Sequence, residues 1–129
     1  MNFRGVIIEE SLEDRSPLTM VTIVDTVIEK VTPQHKTPWL TKWTLDTFEI
    51  PEGLGDAVAQ RISTSLDKNH PWYADFKNDT YHYIIYRNNV FRIERNNPHL
   101  YKDAKRYGVS LGIPEHQLDF APKDTVRER

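Results

Sequence analysis

The chain of 129 residues carries a formal net charge of −2, with 38% hydrophobic residues, 28% charged residues and no cysteine. This length suits one domain with a single core, and the apolar content excludes an intrinsically disordered chain. The small negative charge argues against binding of nucleic acid through bulk positive charge, and the lack of cysteine excludes disulfides, thiolate metal sites and a cysteine nucleophile.

The first half of the chain predicts three strands. A β-branched run opens at "FRGVIIEE", and the segment from Leu18 to Thr32 then alternates with period two and is rich in Val, Thr and Ile. The polar segment 10–17 is expected to be a connecting loop. A third strand is predicted from Trp39 to Ile50, and we expect it to pair with the second in antiparallel fashion.

Two helices are predicted from changes of period and from capping residues. In the second helix Asn97 can cap, Pro98 suits the first helical position, and Gly108 can adopt the left-handed conformation that ends a helix. The first helix shows an apolar stripe at four-residue intervals, made by Leu54, Val58, Ile62 and Leu66.

The segment from Trp72 to Arg95 predicts two β-hairpins. Asn78-Asp79 and Asn88-Asn89 tolerate positive φ, and each pair lies between strand-like runs, as in two-residue hairpin turns. With these turns, Asp75 lies opposite His82 on the neighbouring strand, and His82 lies opposite Arg95 on the third.

Alternation of side chains divides this three-stranded unit into two faces. We expect the first face to form the core, with both helices packed on it. The first face carries Tyr73, Ile84, Tyr86, Phe91 and Ile93. The second face combines aromatic and arginine side chains and is a candidate binding surface made of Trp72, Phe76, Tyr81, Tyr83, Arg87 and Arg92.

Three interpretations of the second face remain open. The N-terminal strands or the C-terminal tail could cover it, since a monomer rarely exposes a large apolar patch. It could contact a protein partner or a second copy of the chain, because aromatic residues and arginine are enriched at the centres of interfaces. It could also stack the bases of single-stranded nucleic acid. The net charge of −2 disfavours this interpretation, because the chain has no excess of basic residues.

One row of side chains suggests chemistry. Asp75 could orient His82 as a general base while Arg95 held an anionic substrate, which is a division of roles typical of proton-transfer enzymes. The structural alternative is that these opposite charges only support the sheet as cross-strand neighbours. No phosphate-loop, dinucleotide or serine-elbow motif accompanies them.

The sequence predicts no metal, no cofactor and no membrane contact. The five histidines show no zinc-helix spacing. No apolar run approaches the roughly 20 residues of a membrane span, and the N-terminus lacks the features of a signal peptide. Cytoplasmic residence is therefore expected.

The strings "WYADFKND", "YHYIIYRNNVFRIER" and "YGVSLGIPEHQLDF" resemble those of a family of small uncharacterised prokaryotic proteins. The resemblance extends over most of the chain and includes "GVIIEESL" and "TPWLTKWTLDTFEIPE". It implies membership of that family, and it assigns no activity and no site residues.

Together these features predict a single α+β domain over residues 1–120, followed by a charged tail at 121–129. The domain is expected to contain a mainly antiparallel sheet of five or six strands and two helices on one face, in the order β-β-β-α-β-β-β-α. The favoured function is a non-enzymatic binding or regulatory module that contacts a protein partner or itself. The alternative is a small acid–base enzyme acting on an anionic ligand.

Overall fold

The computed structural model describes residues 1–97, 99–118 and 120. These residues form one antiparallel sheet of six strands in the order β2-β3-β1-β4-β5-β6, together with two α-helices. The α+β class and the order of the elements are confirmed. The predicted tail at 121–129 lies outside the described residues. The elements are β1 Phe3–Ile8, β2 Thr22–Lys30, β3 Lys42–Ile50, α1 Gly55–Ser65, β4 Tyr73–Lys77, β5 Tyr81–Tyr86, β6 Asn89–Glu94 and α2 His99–Ser110.

Strand β1 lies inside the sheet, between β3 and β4. Its Gly5 is opposite Phe48 on one side and Phe76 on the other. A Cβ atom at Gly5 would lie 2.5 Å from the carbonyl oxygen of Asp75, so only glycine allows this close approach. The resulting sheet places the beginnings of β3 and β4 on either side of the last residues of β1.

The two helices pack on opposite faces of the sheet, not on one face as predicted. Val58 and Ile62 of α1 share a core cluster with Phe76, whereas Ala104 of α2 packs in a second cluster with Ile84. Because side chains alternate along β4 and β5, these clusters lie on different faces. Both faces offered aromatic and aliphatic side chains, so each could bury one helix.

Helix α2 continues two residues beyond Gly108, the residue predicted to end it. Gly108 is needed for close packing, since a Cβ atom there would lie 2.7 Å from the hydroxyl oxygen of Tyr86 and 2.8 Å from a methyl carbon of Leu118. The left-handed conformation occurs instead at Gly112, whose φ is +94°.

Both hairpin turns are shifted by one residue from the prediction. In the first, the side chain of Asn78 accepts hydrogen bonds from the backbone N–H groups of Thr80 and Tyr81 at 2.9 and 2.8 Å. This places Asp79 and Thr80 at the tip of the turn, so that Lys77 lies opposite His82. A shift of the turn by one residue moves the pairing by two, and each side chain keeps its predicted face.

The second turn has Arg87 and Asn88 at its tip, and Tyr86 pairs with Asn89. Asn88 alone in this turn has a positive φ, of 61°. In the described part of the chain, no helix is long and apolar enough to cross a membrane.

Candidate functional site

The face predicted to bind a partner is largely covered by α1. Trp72, Phe76 and Tyr83 are only 7%, 1% and 4% exposed, and they are core residues, which corrects their assignment to an open contact surface. The Tyr83 hydroxyl donates a hydrogen bond to Asp56 of α1. Burial and this carboxylate raise the pKa of Tyr83 to about 12, so the phenol stays neutral at physiological pH.

The other three residues of that prediction lie at the margin of the face and make contacts within the chain. The guanidinium of Arg92 lies 4.0 Å from the ring centroid of Tyr81, a cation–π contact. Arg87 donates to the carbonyl of Leu66 and forms an ion pair with Glu13 at 3.3 Å. Arg87 therefore ties the second hairpin turn to the end of α1.

The structure brings together two residues of the predicted catalytic row and adds a third that was not predicted. His82 Nε2 lies 2.8 Å from Asp75 Oδ2, and His82 Nδ1 lies 2.7 Å from the hydroxyl of Tyr101 on α2. Arg95 donates to the carbonyl of Asn78 at 2.6 Å. With the shifted register, Asp75 and His82 are diagonal neighbours instead of directly opposite residues.

This Asp75–His82–Tyr101 network resembles a buried structural link more than a reaction centre. His82 is 1% exposed, and each of its ring nitrogens already has a partner. A general base needs a nitrogen within reach of the substrate proton. The three residues do not line the pockets that the structure describes around Trp43, Asn69 and Arg61.

A cavity of about 200 Å³ lies at one end of the sheet, and we call it the tryptophan cleft. It forms where strands β3 and β4 begin, and residues of the segment after α2 complete its lining. Aromatic and aliphatic side chains make most of its wall, and Glu29 and Gln117 supply polar groups. Its lining consists of Ile8, Glu29, Trp43, Leu45, Pro71, Trp72, Tyr73, Ile113 and Gln117.

All three tryptophans of the chain meet at this cleft or beside it. The ring centroids of Trp43 and Trp72 are 5.9 Å apart with an angle of 61° between the planes, so the two rings form a corner. The ring centroids of Trp39 and Trp72 are 6.3 Å apart in an edge-to-face arrangement, and Trp39 is 44% exposed. Trp39 also stacks on His70 at 3.6 Å, with the planes 12° apart.

The hydrogen bonds of His35 fix its tautomer beside the cleft. Its Nδ1 accepts the backbone N–H of Thr32 at 2.9 Å, and an N–H group can only donate, so this nitrogen carries no proton. The proton is therefore on Nε2, which donates to Glu29 Oε1 at 2.6 Å. His35 is neutral in this arrangement, and Glu29 keeps its full negative charge at the edge of the cleft.

A second histidine and carboxylate pair lies on the other side of the tryptophans. His70 Nδ1 is 2.6 Å from Asp67 Oδ2. Although burial raises the pKa of Asp67, the hydrogen bonds from His70 and from the backbone of Asn69 outweigh it and hold that pKa below its usual value. The indole N–H of Trp72 also favours the ionised Asp67, but it does not reach hydrogen-bonding geometry with any described residue.

The cleft opens into a wider pocket of about 730 Å³. The two spaces share Trp43 and Gln117, and His35 lines the wider pocket. The amide of Gln117 donates to the carbonyl of His35 at 3.2 Å, and Tyr73 donates to the carbonyl of Gln117. These bonds hold the crossing segment over the cleft and give the cavity a fixed wall.

The residues of this site come from distant segments, so no local pattern predicts it. One usable signal is present: Pro38-Trp39 and Pro71-Trp72 each place a tryptophan directly after a proline, at the start of a predicted strand segment. Such pairs put large aromatic groups at the ends of a sheet. Over the residues that the structure describes, no group of three or more metal-ligating side chains occurs.

Comparisons with protein-family models, with curated proteins and with solved structures found no match to this chain.

Proposed function

We propose that this protein is a non-enzymatic binding module and that its ligand site is the tryptophan cleft. The observation that carries the proposal is the cavity of about 200 Å³ walled by Trp43, Trp72 and Tyr73. Concave, mostly aromatic and apolar cavities with a few polar groups are the usual form of small-ligand sites. Of the aromatic residues predicted from the sequence to bind a partner, Trp72 lines this cleft, whereas Phe76, Tyr81 and Tyr83 do not.

Intrinsic fluorescence tests the proposal directly, because every tryptophan of the chain belongs to the cluster around the cleft. We expect saturable changes in tryptophan emission with at least one of three probes: cyclohexanol, N-acetylproline methylamide and choline. The change Trp43→Ala removes a wall of the cleft and should weaken binding of that probe about tenfold.

The matched control is Trp39→Phe, since Trp39 belongs to the cluster but does not line the cleft. It should alter the emission spectrum while leaving the affinity within about twofold. Emission that stays constant with all three probes, or an affinity that Trp43→Ala leaves unchanged, would refute the proposal.

The alternative of an acid–base enzyme acting through Asp75, His82 and Arg95 receives less support from the geometry. The burial of His82 at 1% exposure leaves no approach for a substrate in the conformation described. A small anionic ligand, considered for that enzyme, would also meet no lysine or arginine in the lining of the tryptophan cleft.

A second candidate function is self-association through the edge of the sheet, and strand β2 favours it. All nine residues of β2 are exposed, and Val27 and Ile28 are 51% and 63% exposed. An edge strand with aliphatic groups and without proline is a template for another strand. We propose that the occupant is β2 of a second copy, which a two-fold axis would align in antiparallel fashion.

Sedimentation equilibrium tests this second candidate. The change Ile28→Lys places a charge on the edge, and we expect it to shift the protein toward the monomer by about tenfold in dissociation constant. Lys102→Ala on the exposed side of α2 is the control. A wild-type protein that is monomeric at millimolar concentration would rule out this use of β2.

The proposal keeps two expectations drawn from the sequence, namely cytoplasmic residence and membership of the prokaryotic family whose strings the chain resembles.

A further inference from the structure

We propose that the tryptophan cleft selects an organic cation with an apolar body, such as a quaternary ammonium group, over neutral and anionic ligands of the same shape. This inference rests on the proposed function and names its ligand class. It is carried by the arrangement of the Glu29 carboxylate and the Trp43–Trp72 corner around a small cavity.

The charge of the cleft is the first argument. Glu29 is its one ionisable carboxylate, and the described lining contains no lysine or arginine. The neutral tautomer of His35 donates a hydrogen bond to Glu29 without cancelling its charge. Lys36 lies in the adjoining outer pocket and does not line the cleft. The cleft therefore presents a net negative charge to a ligand.

The position of that carboxylate is the second argument. Glu29 Oε1 is occupied by His35, whereas no described residue bonds to Oε2. The Glu29 side chain is 50% exposed, so its free oxygen can face a ligand without the cost of burying an isolated charge. The hydrogen bond from His35 reduces the freedom of the side chain and so prepares the carboxylate for binding.

The walls are the third argument. Trp43 and Trp72 meet at 61°, and Tyr73 is a further lining residue. An apolar cation can contact both indole rings at once, and tryptophan gives the strongest cation–π attraction among side chains. About 200 Å³ holds roughly six water-sized groups, which suits a tetra-substituted ammonium head and not a long chain.

The charge of the cleft disfavours anionic ligands. A carboxylate or phosphate ligand would approach Glu29 against its charge, and the negative faces of the rings would repel it further. The charge complementarity of this site is therefore opposite to that of the anionic substrate considered for the row Asp75, His82 and Arg95.

The test compares choline with 3,3-dimethylbutan-1-ol, which has the same shape and no charge, by tryptophan fluorescence of the full chain. We expect choline to bind about tenfold more tightly than the alcohol. The change Glu29→Gln should remove most of this difference by weakening choline binding and should leave the affinity for the alcohol unchanged.

Glu49→Gln is the matched control, because Glu49 is an exposed carboxylate on β3 that pairs with Arg4 at 3.3 Å and lies outside the cleft. It should leave both affinities unchanged. Competition by tetramethylammonium gives a second readout that needs no variant and should displace choline completely.

Each remaining outcome overturns the inference in a distinguishable way. Equal affinities for choline and the alcohol, or equal losses on Glu29→Gln and Glu49→Gln, would refute cation selection and leave a binding cleft in place. Binding of the alcohol alone would have the same meaning. If neither compound, nor any of the other probes, altered tryptophan emission, the proposed function would fall together with the inference.

Discussion

Replacing His82 with Ala is expected to lower the free energy of unfolding by about 3 kcal/mol and the melting temperature by roughly 10 °C. The imidazole joins Asp75 of β4 to Tyr101 of α2 through two hydrogen bonds, at 2.8 and 2.7 Å. Its loss leaves a cavity and removes one partner from a carboxylate that is only 15% exposed and one from the hydroxyl of the buried Tyr101. Urea unfolding followed by circular dichroism measures the change.

His99→Ala is the control for this prediction, since His99 is an exposed residue of α2 and its loss should change stability by less than about 0.5 kcal/mol. Tyr101→Phe should cost an intermediate amount of about 1.5 kcal/mol, because it removes only one of the two bonds. The His82→Ala protein, once folded, should keep the probe affinity of the wild type. A stability loss below about 1 kcal/mol would contradict the structural role of His82.

The second large effect concerns two neighbouring acidic side chains, Glu9 and Asp46 of β3. Asp46 is fully buried, with 0% exposure. Its Oδ1 accepts a hydrogen bond from the Thr26 hydroxyl at 2.7 Å. Its Oδ2 receives no hydrogen bond from the N–H and O–H groups of the described residues. The pKa of Glu9 is raised from 4.5 to about 7, mainly by a hydrogen bond to Asp46, then by burial and by the negative charge of Asp46. Among the smaller effects, Arg15 lowers this pKa and Glu10 raises it. In its protonated form, the Glu9 carboxyl would supply this missing donor.

A raised pKa in the folded state means that folding favours the protonated form of Glu9. Below pH 4.5, Glu9 makes its full contribution to the free energy of unfolding. Between pH 4.5 and about 7 this contribution falls, because Glu9 loses its proton in the unfolded chain but keeps it in the folded chain. Above about pH 7 the contribution is lost. We expect this single group to reduce stability by about 2 kcal/mol across that interval. Solvent limits the effect, because the Glu9 side chain is 23% exposed.

The change Glu9→Gln provides the measurement. Its amide can donate to Asp46 at every pH, so the variant should match the wild type near pH 4.5 and exceed it in stability above pH 7. Because both proteins share all other titrating groups, the difference between their urea-unfolding curves isolates Glu9. Glu49→Gln should retain the wild-type slope. A variant whose stability follows the wild type in parallel from pH 4.5 to 7.5 would refute the shared proton.

For strands β4 to β6, the sequence predicted which face of the sheet each side chain occupies better than it predicted which residues lie opposite each other. Period-two alternation assigns Phe76 and Tyr83 to one face and Tyr86 to the other, and this assignment survives the shift of both turns. The shift of the first turn has a local cause. The Asn78 side chain accepts hydrogen bonds from the backbone N–H groups of Thr80 and Tyr81, which places Asn78 directly before the tip of the turn and not within it. Composition of the turn alone does not decide between these two positions.

The sequence could not decide where the helices pack, or that three tryptophans converge. Both faces of the sheet were apolar enough to bury a helix, and the sequence gives no measure of which one Val58 and Ala104 would reach. The tryptophan cleft depends on contacts between Trp43 and Trp72, which are distant in the chain, and on the crossing segment at Gln117. Long-range packing of this kind leaves no periodic signal.

The most direct test of the tryptophan cleft as the ligand site follows the indole N–H signals in a ¹H–¹⁵N correlation spectrum during titration with the tightest-binding probe. The proposal predicts saturable shifts of the Trp43 and Trp72 signals and of the Tyr73 amide, with the amides of Tyr81 and Arg92 unchanged. Shifts confined to Tyr81 and Arg92, with Trp43 and Trp72 constant, would contradict it.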